Sequence, residues 1–380
     1  MPGIPFNIPH VTGQELTWLR RVKTSRKFSG DGPFNKKCQE LIESDLSCSN
    51  VLMAPSCTSA LEMAAILADI KPGDEVIMPS FTFPSSANAF VLRGAKIVFV
   101  DVDSVTMNID VQLTEKAVTE KTRAILAVHY GSIGCEMEKL SEITKNRNIL
   151  LIEDAAQAYK ATRNGKFLGT IGDLGCLSFH ESKNIHCGEG GALIINNPAF
   201  LERAEIIREK GTDRKKFFKG KIDKYTWVDI GSSYLLSEIN AAFLYAQLRQ
   251  ADKVNAKRNK LWNRYHELLK PLADSGKLEL MSIPSECEQN GHLFFIKTKN
   301  AIERENLIRY LNNKSIYPAF HYLPLHTSQA GKSFGRFEGT DTWTTSESER
   351  LLRLPMFYKL RFQEITEITA IIKRFYETKA

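Results

Sequence analysis

The sequence lacks the cysteine pattern of a disulfide-bonded or zinc-binding protein. Its seven cysteines are odd in number, are scattered along the chain and form no Cys-x-x-Cys pair. They are Cys38, Cys48, Cys57, Cys135, Cys176, Cys187 and Cys287. This distribution indicates reduced, mostly buried thiols. We therefore expect a cytoplasmic protein that has neither a disulfide framework nor a metal site.

Segments that would place the chain in a membrane are also missing. No apolar run is long enough to span a bilayer, and residues 1–13 lack the basic-then-apolar pattern of a signal peptide. The composition, with 43% hydrophobic and 25% charged residues over 380 positions, is ordinary for a globular protein. We expect no membrane partner, and a chain of this length can form a large domain and a smaller one.

A net charge of +7 does not by itself indicate a nucleic-acid partner, because acidic residues are interleaved with basic ones along the chain. The one dense basic patch spans residues 214–221 and includes Lys219 and Lys221. Two interpretations of this patch stay open: a solvated loop, or a clamp for a phosphorylated small molecule. We expect no nucleic acid among the partners.

The glycine fingerprint of a dinucleotide-binding fold is absent. The glycine-rich stretch at residues 188–191 is not a Gly-x-Gly-x-x-Gly motif and does not lead from a strand into a helix. An NAD-dependent oxidoreductase is therefore poorly supported.

Between about residues 50 and 200, short apolar runs alternate with amphipathic stretches. The predicted strands are 75–78, 96–102, 123–130, 149–153, 175–179 and 192–195. The predicted helices between them are 59–70, 85–93 and 136–147. This alternation predicts an α/β fold with a largely parallel sheet covered on both faces. Ligands of such sheets bind beyond the carboxyl ends of the strands.

After residue 200 the pattern changes to longer helices. Residues 235–270 are predicted as one long or bent helix. A smaller α/β unit follows, with a predicted strand at 292–297 and helices at 304–312 and 363–376. We predict a large domain over residues 1–250 and a small C-terminal domain over residues 251–380.

Two residues near predicted strand ends indicate a specific chemistry. Asp154 directly follows the strand 149–153, and Lys183 follows the strand 175–179 about one β-α unit later. Enzymes that use pyridoxal phosphate (PLP) need this pair: a lysine amine forms a Schiff base with the cofactor aldehyde, and a carboxylate keeps the pyridine nitrogen protonated. The ordered pair predicts a PLP site.

Three further segments have both a functional and a structural interpretation. Residues 55–60 open a helix whose N-terminus suits a phosphate, although Ser56 or Thr58 could be an ordinary N-cap. Phe83 could stack on a planar cofactor or belong to the core. In the segment 321–326, His321 or His326 could face the substrate or be structural.

Taken together, these motifs resemble the DegT/DnrJ/EryC1/StrS family of sugar aminotransferases. The resemblance extends from residues 4–6 to residues 354–356. The segments that carry it are 55–58, 87–101, 178–184, 223–227 and 229–234. It implies the PLP-dependent transferase type I (aspartate-aminotransferase-like) fold, with a large mostly parallel-sheet domain and a smaller C-terminal α/β domain.

The resemblance also implies roles for individual residues. Lys183 is the Schiff-base lysine, Asp154 faces the pyridine nitrogen, Gln157 lies near the ring hydroxyl, Phe83 stacks on the ring, and Thr58, Ser59 and Ser178 hold the phosphate. Many members have an asparagine, at the position of Ser233 here, that reaches the cofactor phosphate of the neighbouring subunit. The resemblance therefore implies a homodimer with shared active sites, in which Ser233 takes the place of that asparagine with a shorter reach.

The branch that the sequence resembles most transfers an amino group from L-glutamate to C4 of dTDP-4-keto-6-deoxy-D-glucose in enterobacterial common antigen synthesis. The implied product is dTDP-4-amino-4,6-dideoxy-D-galactose. Lys219 and Lys221 would then be candidates for the nucleotide pyrophosphate. Two alternatives stay open: amination at C3 of a dTDP-3-keto-6-deoxyhexose, and a non-catalytic sugar-nucleotide binder or regulator with the PLP fold.

Overall fold

The strands of the protein are short, and all but one of those in the main sheet are buried at most of their residues, as expected for a sheet covered on both faces. The computed structural model describes residues 3–145, 147–218 and 220–378. The strands are β1 (Val51–Ala54), β2 (Glu75–Pro79), β3 (Lys96–Val100), β4 (Thr122–Val128), β5 (Leu150–Asp154), β6 (Thr162–Arg163), β7 (Lys166–Phe167), β8 (Leu174–Ser178), β9 (Gly191–Ile195), β10 (Glu279–Leu280), β11 (Cys287–Glu288), β12 (Phe295–Lys297), β13 (Gly335–Phe337) and β14 (Leu351–Arg353).

Helices cover the sheet and form much of the later part of the chain. The α-helices are α1 (Glu15–Ser25), α2 (Pro33–Asp45), α3 (Cys57–Leu67), α4 (Pro84–Val91), α5 (Val111–Ala117), α6 (Met137–Thr144), α7 (Leu201–Arg208), α8 (Arg214–Phe218), α9 (Glu238–Leu248), α10 (Ala251–Asp274), α11 (Ala301–Asn312), α12 (Gln329–Phe334), α13 (Thr344–Arg350) and α14 (Phe362–Glu377). Short 3-10 helices occur at Tyr130–Ser132, Pro198–Phe200 and Leu325–Thr327.

The main sheet has eight strands in the order β1-β9-β8-β5-β4-β2-β3-β13. Pairing is parallel from β13 to β8, whereas β9 runs antiparallel to both of its neighbours, β8 and β1. The carboxyl ends of seven strands therefore lie at one edge, together with the start of β9. This confirms the predicted α/β architecture, and it brings together segments that are far apart in sequence.

The helical stretch predicted at 235–270 as one long or bent helix is divided in the structure into α9 and α10. The break falls at Arg249 and Gln250, and Gln250 has non-helical backbone angles (φ −115°, ψ 7°). The division has a packing reason: α9 packs on α1 and α2, whereas α10 packs on α14. One straight helix could not bury an apolar face against both sets of partners.

A second, three-stranded sheet has the order β10-β12-β14, and a third has the order β11-β6-β7. Two contacts cross the predicted division at residue 250. Strand β13 pairs with β3 in the main sheet, and Ile4 forms a parallel bridge with Ile316. The two-domain division stays a prediction, and these contacts show that the later part of the chain is closely joined to the main sheet.

No helix in the described part of the chain is long and apolar enough to cross a membrane. Over the same residues, no group of three or more histidine, cysteine, aspartate or glutamate side chains could hold a metal ion. All seven cysteines are free, and six of them are buried.

Candidate active site

Asp154 is the last residue of β5, and its carboxylate is held at the carboxyl edge of the main sheet. The side chain is only 7% exposed. Its Oδ2 accepts a 2.7 Å hydrogen bond from Ser86 Oγ on α4, and its Oδ1 accepts one of 3.1 Å from the backbone N–H of Ala156. Thr82 Oγ1 lies 2.8 Å from Ser86 Oγ and continues the chain of hydroxyls. The carboxylate is therefore fixed in orientation.

Lys183 lies in the loop that connects β8 to β9. Backbone hydrogen bonds from Phe179 to Gly190 and from Glu181 to Gly188 close the loop, and Lys183 N–H donates to His180 at 2.9 Å. Gly188 has a φ of +81°, a conformation that favours glycine, so this turn depends on the glycine-rich stretch that follows the lysine.

Burial lowers the pKa of the Lys183 amine. The nearby groups Cys57 and Asp154 act in the opposite direction and raise this pKa, and the charge of Arg353 lowers it further. An amine with a lowered pKa is neutral in a larger fraction of molecules and is a better nucleophile toward a carbonyl carbon. The interaction also shows that Lys183 and Asp154 are within electrostatic range of each other.

The start of α3 lies at the same edge and carries the predicted phosphate-binding hydroxyls. Ser56 is the N-cap, and its Oγ accepts from the backbone N–H of Ser59 at 3.0 Å. Thr58 Oγ1 donates to Ser85 Oγ at 2.9 Å. A Cβ added to Gly191 would lie 2.3 Å from the carbonyl carbon of Ser56, so only glycine lets β9 pass so close beneath this helix end.

Ser178 is the last residue of β8 and is partly exposed at the same edge. Gln157 bridges two parts of the site: its Oε1 accepts from Gly131 N–H at 2.7 Å, and its Nε2 donates to Tyr322 Oη at 3.1 Å. Phe83 is 56% exposed, and its ring centroid lies 6.2 Å from that of Tyr322. The Phe83 ring therefore has a free face at the edge of the site.

The two predicted histidines are placed differently. His321 Nδ1 lies 3.0 Å from Tyr130 Oη, and burial, together with the charges of Arg353 and Lys183, lowers the pKa of His321 far below its ordinary value. Both ring nitrogens of His326 have partners, Ser80 Oγ at 2.7 Å and Asp341 at 3.1 Å. Only His321 thus interacts with Lys183, and a substrate-facing role for His326 stays a prediction.

The basic patch at 214–221 forms α8 and the turn after it. Lys215 and Lys216 are paired with glutamates of α7. Lys219 lies outside the described residues. Lys221 is exposed, and no contact within the described chain joins it to the other predicted site residues. Ser233 is also exposed, and its backbone forms an isolated bridge with Glu209.

Three residues of this site were missed by the sequence analysis: Ser86, Tyr322 and Arg353. Tyr322 lies inside the segment 321–326 that the analysis singled out, and Arg353 directly precedes the segment 354–356 at the end of the resemblance. Ser86 has no sequence signal, because its partner Asp154 is 68 positions away and only the adjacency of α4 to β5 brings them together.

A lysine with a lowered pKa, a fixed carboxylate and a helix N-terminus at one edge of a mostly parallel sheet are features of PLP-dependent aminotransferases. The comparison with known families identifies one family along almost the whole chain. The chain belongs to the DegT/DnrJ/EryC1/StrS aminotransferase family, whose model matches residues 9–373. It is a PLP-dependent sugar aminotransferase, as its family and structural relatives are.

Individual relatives cover almost the whole chain. The chain is 33% identical over 358 residues to a pleiotropic regulatory protein of Geobacillus stearothermophilus, covering 93% of this chain and 92% of that one. It is 30% identical over 383 residues to GDP-perosamine synthase of Escherichia coli O157:H7, covering 100% of both. The crystal structure of S. venezuelae DesV with a ketimine intermediate superposes with a TM-score of 0.90 at 27% identity, covering 99% of each chain.

The side chains at the sheet edge fit PLP. The cofactor has an aldehyde, a pyridine nitrogen, a ring hydroxyl and a phosphate, and the edge offers an amine, a carboxylate, an amide and several hydroxyls at a helix N-terminus. A related structure has been solved with the cofactor in both its PLP and its PMP forms. When bound, PLP supplies an electron sink that stabilises negative charge at the carbon next to the reacting nitrogen.

Proposed function

We propose that this enzyme moves an amino group from L-glutamate to C4 of dTDP-4-keto-6-deoxy-D-glucose, giving dTDP-4-amino-4,6-dideoxy-D-galactose. The observation that carries the amino transfer is the interaction of Lys183 with Asp154 at the carboxyl edge of the sheet. The choice of donor, sugar and C4 rests on the resemblance of segments such as 87–101 and 178–184 to the branch that makes this product for enterobacterial common antigen. Lipopolysaccharide O-antigen synthesis uses sugars of the same kind.

In this proposal Lys183 holds the cofactor and, once released, moves a proton between the α-carbon of the donor and the cofactor. Asp154 keeps the pyridine nitrogen protonated, because an adjacent carboxylate raises the pKa of that nitrogen. Gln157 lies at the ring hydroxyl and Phe83 on the ring face.

Thr58, Ser59 and Ser178 hold the cofactor phosphate through their hydroxyls and the helix N-terminus. For the substrate we propose contacts from His321, with Lys219 and Lys221 directed to the nucleotide pyrophosphate.

We also propose a homodimer in the cytoplasm. Ser233 is exposed in the single chain, as a residue that reaches a partner's cofactor would be. Large apolar side chains are exposed close to it in sequence, with Trp227 at 79% and Val228 at 52%, and an interface would cover them. The seven free cysteines support a reducing compartment.

Two alternatives follow from the relatives. The GDP-perosamine synthase of E. coli O157:H7 carries a different nucleotide in its name, which makes a GDP-linked keto-sugar a rival substrate. The regulatory name of the Geobacillus stearothermophilus relative favours a non-catalytic role instead. The presence of Lys183, Asp154 and Gln157 together supports catalysis, because a binder needs no reactive lysine. Amination at C3 of a dTDP-3-keto sugar stays a third alternative.

The deciding experiment follows the visible absorbance of the purified, PLP-loaded protein. We expect L-glutamate to bleach the band and dTDP-4-keto-6-deoxyglucose to restore it. A matched GDP-linked keto-sugar and a dTDP-3-keto sugar, added in parallel, should restore it far more slowly. If only one of these two rival sugars restored the band, that sugar would replace dTDP-4-keto-6-deoxyglucose as the proposed substrate. A band that glutamate leaves unchanged would remove glutamate as the donor.

A further inference from the structure

Asn184 directly follows Lys183 in the loop that connects β8 to β9, and its side chain is buried, with 5% exposure. Its Nδ2 donates to the carbonyl of Asn290 at 2.9 Å and to Oδ1 of Asn255, on α10, at 3.0 Å. Its Oδ1 lies 3.2 Å from Nδ1 of His292. The residue next to the reactive lysine is therefore fixed to two segments from the later part of the chain.

These contacts determine which nitrogen of His292 carries a proton. A backbone carbonyl can only accept a hydrogen bond, so the group that faces the Asn290 carbonyl is the NH₂ group of Asn184. The amide oxygen of Asn184 then faces His292. Because an amide oxygen also only accepts, the proton of this pair is on Nδ1 of His292.

The two partners of the Asn184 amide are themselves fixed by backbone carbonyls. Asn290 Nδ2 donates to the carbonyls of Gln157 and Tyr159 at 3.0 and 3.1 Å. Asn255 Nδ2 donates to the carbonyl of Tyr159 at 3.2 Å. Both amides are therefore held in one orientation, and the network connects Asn184 to the backbone at Gln157, which is a residue of the predicted cofactor site.

The imidazole of His292 is neutral near neutral pH. Burial lowers its pKa well below the ordinary value, and the charges of Lys183, Arg258 and Arg353 lower it further, with Lys183 as the largest of the three. A neutral imidazole that has its proton on Nδ1 has none on Nε2, so Nε2 is a hydrogen-bond acceptor. In the part of the chain that the structure describes, Nδ1 is the ring nitrogen that has a partner, and the side chain is partly exposed. Nε2 is therefore available to a donor in the site.

We infer that Nε2 of His292 accepts a hydrogen bond from the Lys183 amine when this amine is free of the cofactor, and that Asn184 sets the proton position that the bond requires; this inference rests on the proposed function. Lys183 alternates between a neutral amine and an ammonium as it moves the proton of the donor. An unprotonated nitrogen stabilises the ammonium by a charge-assisted hydrogen bond, whereas an imidazolium would repel it. No proton passes to His292, so His292 and Asn184 are positioning residues that act through Lys183.

The test uses variants that each change one hydrogen-bonding group. His292→Asn places an amide NH₂ group where Nδ1 donates to Asn184, and it has no counterpart of Nε2. Asn184→Asp replaces the NH₂ group with an oxygen and puts a carboxylate next to His292. The control is Asn196→Asp, because Asn196 Nδ2 also donates to two carbonyls, those of Gly169 and Gly172. Asn196 follows the end of β9 and lies at the edge of the main sheet opposite the site.

Nitrogen NMR of the protein labelled with ¹⁵N-histidine, loaded with the PMP form of the cofactor so that Lys183 is free, shows which ring nitrogens carry a proton. The His292→Asn variant identifies the His292 signals by their loss. We expect the wild type to have a proton on Nδ1 and none on Nε2, and the Nε2 signal to move when Lys183 is replaced with alanine. In Asn184→Asp both nitrogens should carry a proton, because the carboxylate stabilises the charged ring. The Asn196→Asp spectrum should match that of the wild type.

The rate at which L-glutamate bleaches the PLP-loaded protein, measured with hydrogen and with deuterium at the α-carbon, tests the role in proton transfer. We expect His292→Asn to lower the limiting rate about 10- to 100-fold, as for the loss of one hydrogen bond to a charged group. The glutamate concentration for half of that rate should stay close to that of the wild type, and the isotope effect should increase because proton transfer limits the rate more strongly. Asn184→Asp should lose at least as much, and Asn196→Asp should keep the wild-type rate. Cofactor content and Tm report on folding.

Three results would overturn the inference. The first is a proton on Nε2 of His292 in the wild type, and the second is an Nε2 signal that the Lys183→Ala variant leaves in place. The third is a fully loaded His292→Asn variant with the limiting rate and the isotope effect of the wild type. Failure of the wild type itself to respond to glutamate would be a different result, because it removes the proposed function while the nitrogen spectra still decide whether His292 accepts from Lys183.

Discussion

Ser86 Oγ donates a 2.7 Å hydrogen bond to Oδ2 of Asp154, and this bond joins the first turn of α4 to the end of β5. Both side chains are buried, with 1% and 7% exposure. The bond fixes the rotation of the carboxylate that we assign to the pyridine nitrogen. Ser86 therefore acts through Asp154, as a residue that positions the acid.

Replacing Ser86 with alanine should lower kcat about 10- to 100-fold while cofactor content stays close to that of the wild type. A hydrogen bond to a charged group contributes about 1.5–3 kcal/mol. Without this bond the Asp154 carboxylate is misoriented, and we expect most of that free energy to be lost from the stabilisation of the transition state. Steady-state kinetics with glutamate and the keto-sugar measure the effect. Ser333→Ala on the exposed α12 is the matched control, and an unchanged kcat in Ser86→Ala would contradict the positioning role.

Replacing Lys183 with alanine should abolish the visible band of covalently bound cofactor and lower turnover by a factor of about 10²–10⁴ or more. The reason is that Lys183 is the lysine whose pKa Asp154 and Cys57 influence in the part of the chain that the structure describes. Absorbance spectra of the PLP-loaded variant and of Lys299→Ala, an exposed lysine, make the comparison. A band of normal position and size in Lys183→Ala would show that a different lysine holds the cofactor.

The sequence was sufficient to predict Lys183 and Asp154 because each lies at the end of an apolar run, and strand ends in a parallel sheet meet at one edge. The same reasoning could not find Arg353, which belongs to a three-residue strand in a different sheet. Its position near Lys183 depends on the return of the chain after α13. It also could not decide between a long and a bent helix at 235–270, because the apolar periodicity continues and only the different partners of α9 and α10 impose the change of direction.

Glu153, next to Asp154 in β5, is expected to be important for the stability of the fold rather than for the reaction. It is fully buried, and its carboxylate lies 2.9 Å from His129 Nε2. It also accepts backbone N–H bonds from Gly169, Ile171 and Gly172 at 2.6–2.8 Å.

Glu153→Gln would place an NH₂ group against these donors and leave some of them unpaired. We expect a loss of about 3–5 kcal/mol in the free energy of unfolding. Thermal and urea unfolding should show this against Glu142→Gln, an exposed glutamate of α6. A variant as stable as the wild type would mean that these contacts contribute little.

His10 should make the protein sensitive to acid. Burial lowers the pKa of this histidine from 6.5 to about 4; Glu15 opposes the shift, and the charges of His186, Lys359 and Lys257 add to it. The ring stacks on Tyr358 with centroids 3.8 Å apart, and its Nδ1 is buried without a partner, so no hydrogen-bond acceptor stabilises a proton on that nitrogen.

Because the folded-state pKa of His10 is the lower one, the unfolded chain binds a proton first as the pH falls. The stability contributed by neutral His10 is complete above about pH 6.5 and is lost progressively as the pH falls toward 4. Phenylalanine keeps the stacking on Tyr358 and cannot titrate. We therefore expect the Tm of His10→Phe to fall less than that of the wild type between pH 7.5 and pH 4.5, with similar values at the upper end. Parallel Tm curves for the two proteins over this range would show that protonation of His10 does not drive the acid instability.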